Sequence, residues 1–498
     1  MNSAPGIGSG LLRVGLVVCI AYALIFAGAG WLQVVEAGPL TADPRNPLQL
    51  VAARAPRGRI LDVRGVVVAD DARAADGIRL RRYAHPAMAP ITGYVSTIFG
   101  TAGLERTYDR QLTGVARLGV AEDLLRKFRS HASDPADLHL SVDVRLQELA
   151  ARLLGDQRGA IVAIEPSTGR ILALVSTPGY DPQQLADPAP ATAYLASLGD
   201  DSGAPLLDRA PQGRYVPGSV FKLVTAAAGL ESGAIKRDTT FAEQPAESRR
   251  GFRLDGFRIQ DAPRSVQLEQ PLDLFEALEV SSNIWFAHAG LDTGARALLE
   301  VATRFGFGSA IPFDLPTASS QLNGGDGPSA GFADQVELAN ASYGQAEVLT
   351  TPLQMALVAA ALANGGVLLR PTLVDRVVSR DGHGSRTSPT QIGRVMNATN
   401  AATLRDAMVQ AVQGRYAADY AGGAKVPGVR TAGKSGTAQL APGEVPHSWF
   451  VGFAPADTPR IAVVVIVENA GSGSSRAVPL AGRLMSAWLK RFAPDSAP

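Results

Sequence analysis

Two strand-like runs sit early in the chain and three sit late, and this division limits the fold more than any other feature. Residues 160–164 and 170–175 flank Glu165-Pro166-Ser167-Thr168-Gly169, a hairpin-sized turn. Far downstream come residues 428–434, 448–453 and 461–467, again with short connections. A parallel crossover needs a dozen or more residues, so antiparallel pairing is expected. Helical patterns lie before, between and after the two groups, the last near residues 479–492. The expectation is an α/β (α+β) fold: a five-stranded antiparallel sheet covered by helices on both faces, with a mainly helical region between the two strand groups. Asp143 is placed to cap a helix running to Leu154, with Leu146, Leu149 and Leu153 on one face. There is no internal repeat.

Before residue 141 the pattern changes. Residues 14–35 form an uncharged apolar run of 22, about 33 Å as a helix and long enough to cross a bilayer of about 30 Å. It reads as a single transmembrane helix after a 13-residue cytoplasmic N-terminus, with Trp31 near one end. The alternative is a cleaved signal peptide, since Ala27-Gly28-Ala29 resembles a cleavage site, but a signal core is usually shorter. Flanking charge does not decide the side. Residues 36–140 are Arg-rich and broken by Pro and Gly, as in a small α+β module. Residues 60–62 and 66–68 around Val63-Arg64-Gly65 read as strand, turn, strand, and residues 103–112 as one short helix. A loop-like cluster at residues 133–137 leads into a domain spanning 141–498.

Composition removes several classes of function. With 46% apolar residues the chain is not disordered, and a net charge of +1 gives no basic field for nucleic acid. One cysteine, Cys19, excludes a disulfide framework, a cysteine zinc site and an iron–sulfur cluster. The histidines (85, 131, 139, 288, 383 and 447) show no metal spacing, and only His447, just ahead of a candidate strand, stands out.

Of 47 basic residues only six are lysines, so each lysine calls for a reason. Lys222 follows Ser219 by three in Pro217-Gly218-Ser219-Val220-Phe221-Lys222, ahead of an Ala-rich helical run. Residues i and i+3 share a helix face, so the amine can reach the hydroxyl. A desolvated lysine can become a general base for a serine nucleophile, whereas Arg stays protonated. The bland reading is a helix cap and a surface lysine. Lys127, Lys236, Lys425 and Lys490 are read as surface residues.

Lys434 lies in a decoy. Residues 428–435 satisfy the phosphate-loop pattern G-x-x-x-x-G-K-S, which makes an NTPase the rival reading. A phosphate loop needs a strand before it and a helix after it. Here Pro427 precedes, and Pro442, Gly443 and Pro446 follow, so a strand carrying Lys434 along a cleft fits better. Residues 327–331, Gly-Pro-Ser-Ala-Gly, mimic a nucleophile elbow, but the lead-in is a loop.

Between the lysine motifs, Ser281-Ser282-Asn283 can sit on a turn between helices. Ser219-x-x-Lys222, then Ser281-x-Asn283 after 62 residues, then Lys434-Ser435-Gly436 after 153 more, resemble the signature of serine penicillin-recognising enzymes. Arg57-Gly58-Arg59-Ile60-Leu61-Asp62, Gly103-Leu104-Glu105, Gly344-Gln345 and Trp449-Phe450-Val451-Gly452-Phe453 extend the resemblance to class B penicillin-binding proteins, most like the actinobacterial penicillin-binding protein A type. Val63 departs from the Arg that many relatives carry there.

The resemblance implies a peptidoglycan D,D-transpeptidase inhibited by β-lactams, with a role in cell-wall synthesis and division. Ser219 is the implied nucleophile at the D-Ala-D-Ala bond and Lys222 the base. Ser281 and Lys434 are implied to relay protons, and Asn283 to position the peptide. Ser435, Gly436 and Thr437 would bind substrate, and the backbone N–H groups of Ser219 and Thr437 would form the oxyanion hole. The implied place is the outer face of the cell membrane, with residues 36–498 outside. Stem peptides, β-lactams and cell-wall polymerase or division proteins are the implied partners, with no cofactor, no metal and no nucleic acid. The same triple serves D,D-carboxypeptidases and β-lactamases that use water, and β-lactam sensors; a non-catalytic division scaffold is the alternative of another class.

Overall fold

The computed structural model describes residues 56–73, 79–114, 135–263, 269–324 and 331–492, together with ten residues between 14 and 28. Those ten are helical and exposed, and the rest of the 14–35 run, Cys19 and Trp31 among it, lies outside the described residues, as do Lys127 and His131. Among the described residues no helix is long and apolar enough to cross a membrane.

The core is a five-stranded sheet of β1 (Gly159–Ile164), β2 (Ile171–Thr177), β3 (Ala432–Ala438), β4 (His447–Ala454) and β5 (Ile461–Val467). Its order is β3-β4-β5-β1-β2 and every pairing is antiparallel. β5 is Ile-Ala-Val-Val-Val-Ile-Val and buried throughout. Such an uninterrupted apolar strand requires cover on both faces. Ala462, Val464 and Ile466 join one apolar cluster, while Val463, Val465 and Val467 join the other.

The helices that bear on the sheet and the cleft are α1 (Val144–Leu154), α2 (Lys222–Ser232), α3 (Leu274–Glu279), α4 (Asn283–Arg304), α5 (Pro352–Ala363), α6 (Ala398–Gln413) and α7 (Ala477–Ala487). α5 is apolar all round and buried, and it packs on β1, β4 and β5. α1 and α7 cover the opposite face. As expected, Asp143 accepts from the Arg145 N–H at the start of α1, and Leu146 and Leu153 are buried.

Two expected boundaries move. The strand expected at 428–434 begins only at Ala432 and runs to Ala438. Pro427 and Gly428, the latter at φ +75°, make a turn that closes on an isolated Val426–Val429 bridge, so pairing with β4 starts at Ala432–Phe453. The single helix expected at 103–112 is two, Gly103–Thr107 and Asp109–Thr113. Tyr108 leaves helical geometry between them and donates its hydroxyl to Asp314 at 2.8 Å.

Ile60–Leu61 and Val67–Arg73 pair antiparallel, as the strand, turn, strand pattern suggests. They belong to a six-stranded mixed sheet that also takes Arg79–Tyr83, Asp137–Leu140, Val374–Val378 and Gly384–Arg386. Its last two strands come from far downstream, a pairing that no local pattern announces. Beside this sheet, Arg81 and Arg57 converge on the buried carboxylate of Glu105 at 2.6 and 3.0 Å.

Candidate active site

Three segments meet at the open edge of β3. The first is the turn Gly218–Phe221 that leads into α2. Gly218 has φ +55°, and a Cβ on it would stand 2.7 Å from the Thr437 carbonyl oxygen. Gly344, at φ +82°, accepts from the Gly218 N–H at 2.9 Å, and a Cβ there would meet the Gly218 oxygen at 2.0 Å. Only glycine serves at these two positions, and together they wedge Ser219 against the strand. The Trp449 indole N–H ties β4 to the same turn through Val216 O at 3.1 Å.

The second segment is the turn between α3 and α4. Ser281 sits there at φ +56°, a conformation that non-glycine residues seldom adopt and that clusters at functional sites. Ser282 caps α4 through the Trp285 N–H at 3.2 Å, and Asn283 is its first residue. The third is β3, which carries Lys434, Ser435, Gly436 and Thr437. Gly436 has no room for a side chain, since a Cβ would meet Val220 at 2.9 Å and Trp449 at 3.0 Å.

These segments form a continuous chain of polar contacts. Lys222 Nζ, fully buried, lies 3.0 Å from Ser219 Oγ and 2.8 Å from Asn283 Oδ1. It also lies 2.7 Å from Ser281 O and 3.3 Å from Ser281 Oγ. On the far side, Lys434 Nζ donates to Ser281 Oγ and to Ser435 O, both at 2.8 Å. Burial pushes the Lys434 amine down from its ordinary value to about 7. The hydrogen-bonded chain Ser219–Lys222–Ser281–Lys434 therefore ends in an amine that can take up or release a proton near neutral pH. Thr437 is exposed, and its Oγ1 accepts from the Gly473 N–H at 3.2 Å, leaving its own hydroxyl proton to donate.

The chain opens on a cleft of about 1590 Å³ lined by Ser219, Ser281, Asn283, Ser435 and Thr437. Ser219, Lys222, Ser281, Asn283, Lys434, Ser435, Gly436 and Thr437 are thus in or beside one cleft. None of the described histidines lines it. His447 is the first residue of β4, where its ring packs edge-on to Tyr215 and burial lowers its pKa. Lys236, Lys425 and Lys490 are exposed. The phosphate-loop reading fails on topology, because residues 428–435 run into β3 and the next element is β4, not a helix. Most of the Gly327–Gly331 pattern lies outside the described residues.

Among the cleft residues that no motif in the sequence announces, Asp261 stands next to the catalytic segments. Asp261 follows the hairpin Phe252–Leu254 and Phe257–Ile259 and lines the cleft beside Asn283. Asp255-Gly256 between matching apolar runs was the available signal for that hairpin.

Residues 159–486 match the penicillin binding protein transpeptidase domain, and residues 57–136 match the penicillin binding protein A dimerisation domain. The chain is 34% identical to the peptidoglycan D,D-transpeptidase PbpA of Mycolicibacterium smegmatis, over 96% of this chain and 99% of that protein. It is 33% identical to PbpA of Mycobacterium tuberculosis over the same shares. Among solved structures it resembles penicillin-binding protein A of M. tuberculosis as an imipenem acyl-enzyme, with a TM-score of 0.76 and 33% identity over 89% of this chain and 100% of that one. The penicillin G acyl-enzyme of the same protein gives a TM-score of 0.75 at 33% identity, covering 88% of this chain and 100% of that one.

Proposed function

The chain belongs to the class B penicillin-binding proteins and is a peptidoglycan D,D-transpeptidase, and on that premise we propose that Ser219 is its nucleophile and Lys222 its base. The observation that carries this reading is the unbroken polar chain from Ser219 through Lys222 and Ser281 to Lys434. Ser219 Oγ attacks the carbonyl between the two terminal D-alanines and its proton passes to Lys222. Backbone N–H groups of Ser219 and Thr437 hold the developing oxyanion, an interaction whose loss typically costs about 3–4 kcal/mol. The C–N bond then breaks, and the departing D-Ala amine takes its proton along Ser281 and Lys434. The acceptor amine of a second stem peptide loses a proton into the same relay as it displaces Ser219. Asn283 positions the donor peptide, and Ser435 and Thr437 bind its terminal carboxylate. β-Lactams enter the same cleft and acylate the same serine.

The pH dependence follows from Lys434. Its lowered pKa leaves it charged below about 7 and neutral above. Pairing with the carboxylate and proton delivery to the leaving amine both need the charged form. The second-order rate constant for β-lactam acylation should therefore fall above pH 7, approaching tenfold per unit. Lys434→Arg, slower overall, should lose that limb because Arg keeps its proton. A wild-type profile that is flat from pH 6 to 9, or that rises through 7, would remove Lys434 from this role.

The same reading divides the chain into a 13-residue cytoplasmic start, a membrane helix at 14–35, a non-catalytic module at 36–140 and a transpeptidase domain at 141–498 outside the membrane. There it meets the polymerases and division proteins of the cell wall. The described helical residues support the anchor, since Val17, Leu24 and Ile25 are 65, 68 and 64% exposed and apolar side chains without protein cover suit lipid. In fractionated cells the full chain should stay with the membrane after an alkaline wash, and release into the supernatant would rule out the anchor.

A further inference from the structure

One carboxylate in the cleft has no part in the proton relay, yet it grips the turn that carries Ser281 of the relay and Asn283 beside it. Asp261 Oδ1 accepts from the backbone N–H groups of Asn283 at 2.6 Å and Ile284 at 3.2 Å. The Ser282 hydroxyl donates to the same oxygen at 3.1 Å, and the Ser248 hydroxyl donates to Oδ2 at 3.0 Å. The first N–H groups of a helix have no partner within it, and a negative group is favoured at that end. Asp261 thus supplies from another segment the cap that α4 needs at its first turn. Next to it, the Gln260 carbonyl oxygen accepts from Asn283 Nδ2 at 2.9 Å. With its amino end held there, the Asn283 amide turns Oδ1 toward Lys222 at 2.8 Å. Immediately before this helix stands Ser281 in its left-handed conformation, which the surroundings must hold.

We propose that Asp261 is a positioning residue for the acyl transfer. The hairpin Phe252–Leu254 and Phe257–Ile259 delivers Gln260 and Asp261 to the N-terminus of α4, and their contacts set the orientation of Ser281 and Asn283 toward Lys222. Phe257, 46% exposed, lines the cleft on the same hairpin, so one element both faces the substrate and fixes the turn. This inference rests on the roles given above to Ser281 and Asn283. It fails separately from them, because Ser281→Ala and Asn283→Ala test those roles while leaving Asp261 and the backbone N–H groups it accepts from in place.

The test uses the full chain in detergent and a fluorescent penicillin, with rapid mixing to separate the initial binding constant from the acylation rate constant. Asp261→Ala should slow acylation about 30-fold with binding changed less than twofold, the cost of a small misplacement at the reacting groups. Asp261→Asn keeps a carbonyl acceptor for the two backbone N–H groups and should recover to within about fivefold of wild type. Should Asp261→Ala fail to fold, Asp261→Glu carries the same test, since it displaces the carboxylate by one methylene: acylation slowed about tenfold at unchanged binding supports the proposal. If either variant melts at a lower temperature but acylates at the wild-type rate per folded molecule, Asp261 is a helix cap only and the proposal is overturned.

Discussion

Ser219→Ala in the full-length chain is expected to abolish covalent labelling by fluorescent penicillin, a loss of at least about 10⁴-fold in acylation. The prediction is sharp because two hydroxyls compete for the part. Ser219 Oγ lies 3.0 Å from Lys222 Nζ and Ser281 Oγ lies 3.3 Å from it. Distance alone does not separate them. Their surroundings do, since Ser281 also receives a bond from Lys434 at 2.8 Å and so stands between two amines, a place suited to passing protons. Ser219 instead stands on the glycine-wedged turn at the head of α2, beside Thr437 and open to the cleft. Mass analysis of the labelled wild type should find the acyl group on the peptide containing Ser219, and Ser281→Ala should slow labelling without removing the attachment point. Adduct on the Ser281 peptide, or undiminished labelling of Ser219→Ala, would exchange the two assignments.

The sequence disclosed those parts of this site that rest on local spacing. Ser219 and Lys222 are three apart at a helix start, so their contact follows from helix geometry. β5 shows as a strand because seven apolar residues in succession, bounded by polar loops, suit a strand covered on both faces. The strand carrying Lys434 is recognisable too, but it starts only at Ala432, because Pro427 and Gly428 form a turn closed by the isolated Val426–Val429 bridge. What lay hidden depends on contacts between distant segments. Lys222 to Asn283 and Lys434 to Ser281 share no periodic pattern and are joined only by the family resemblance, while the contact of Asp261 with the head of α4 has no signal at all. The six-stranded sheet is hidden for the same reason: Val374–Val378 pairs with Asp137–Leu140 across more than two hundred residues. Single-sequence patterns report a segment's faces, and only the packed fold reports which faces meet.

Lys222→Met should leave a folded, penicillin-binding protein whose acylation is slower by about 10²–10⁴-fold, the range assigned to a general base. Met matches the length and apolar stem of Lys, and the site is fully buried beside the Phe286 ring, 5.6 Å from Nζ. Packing should therefore survive. The lost contacts, to Ser281 O and Asn283 Oδ1, leave two acceptors short of a donor at about 1–3 kcal/mol each. Removal of a buried amine that water would otherwise solvate offsets part of that. A modest fall in melting temperature, with the binding step intact, would then separate lost chemistry from lost structure. Lys222→Arg supplies the complementary arm, since a guanidinium restores donors to Ser281 and Asn283 but cannot take the Ser219 proton. If positive charge or hydrogen bonding were the whole contribution, Arg would recover much of the rate. If proton acceptance is the contribution, both variants stay slow while both still bind penicillin, and wild-type-like acylation in Lys222→Met would move the base to Lys434, reached through Ser281.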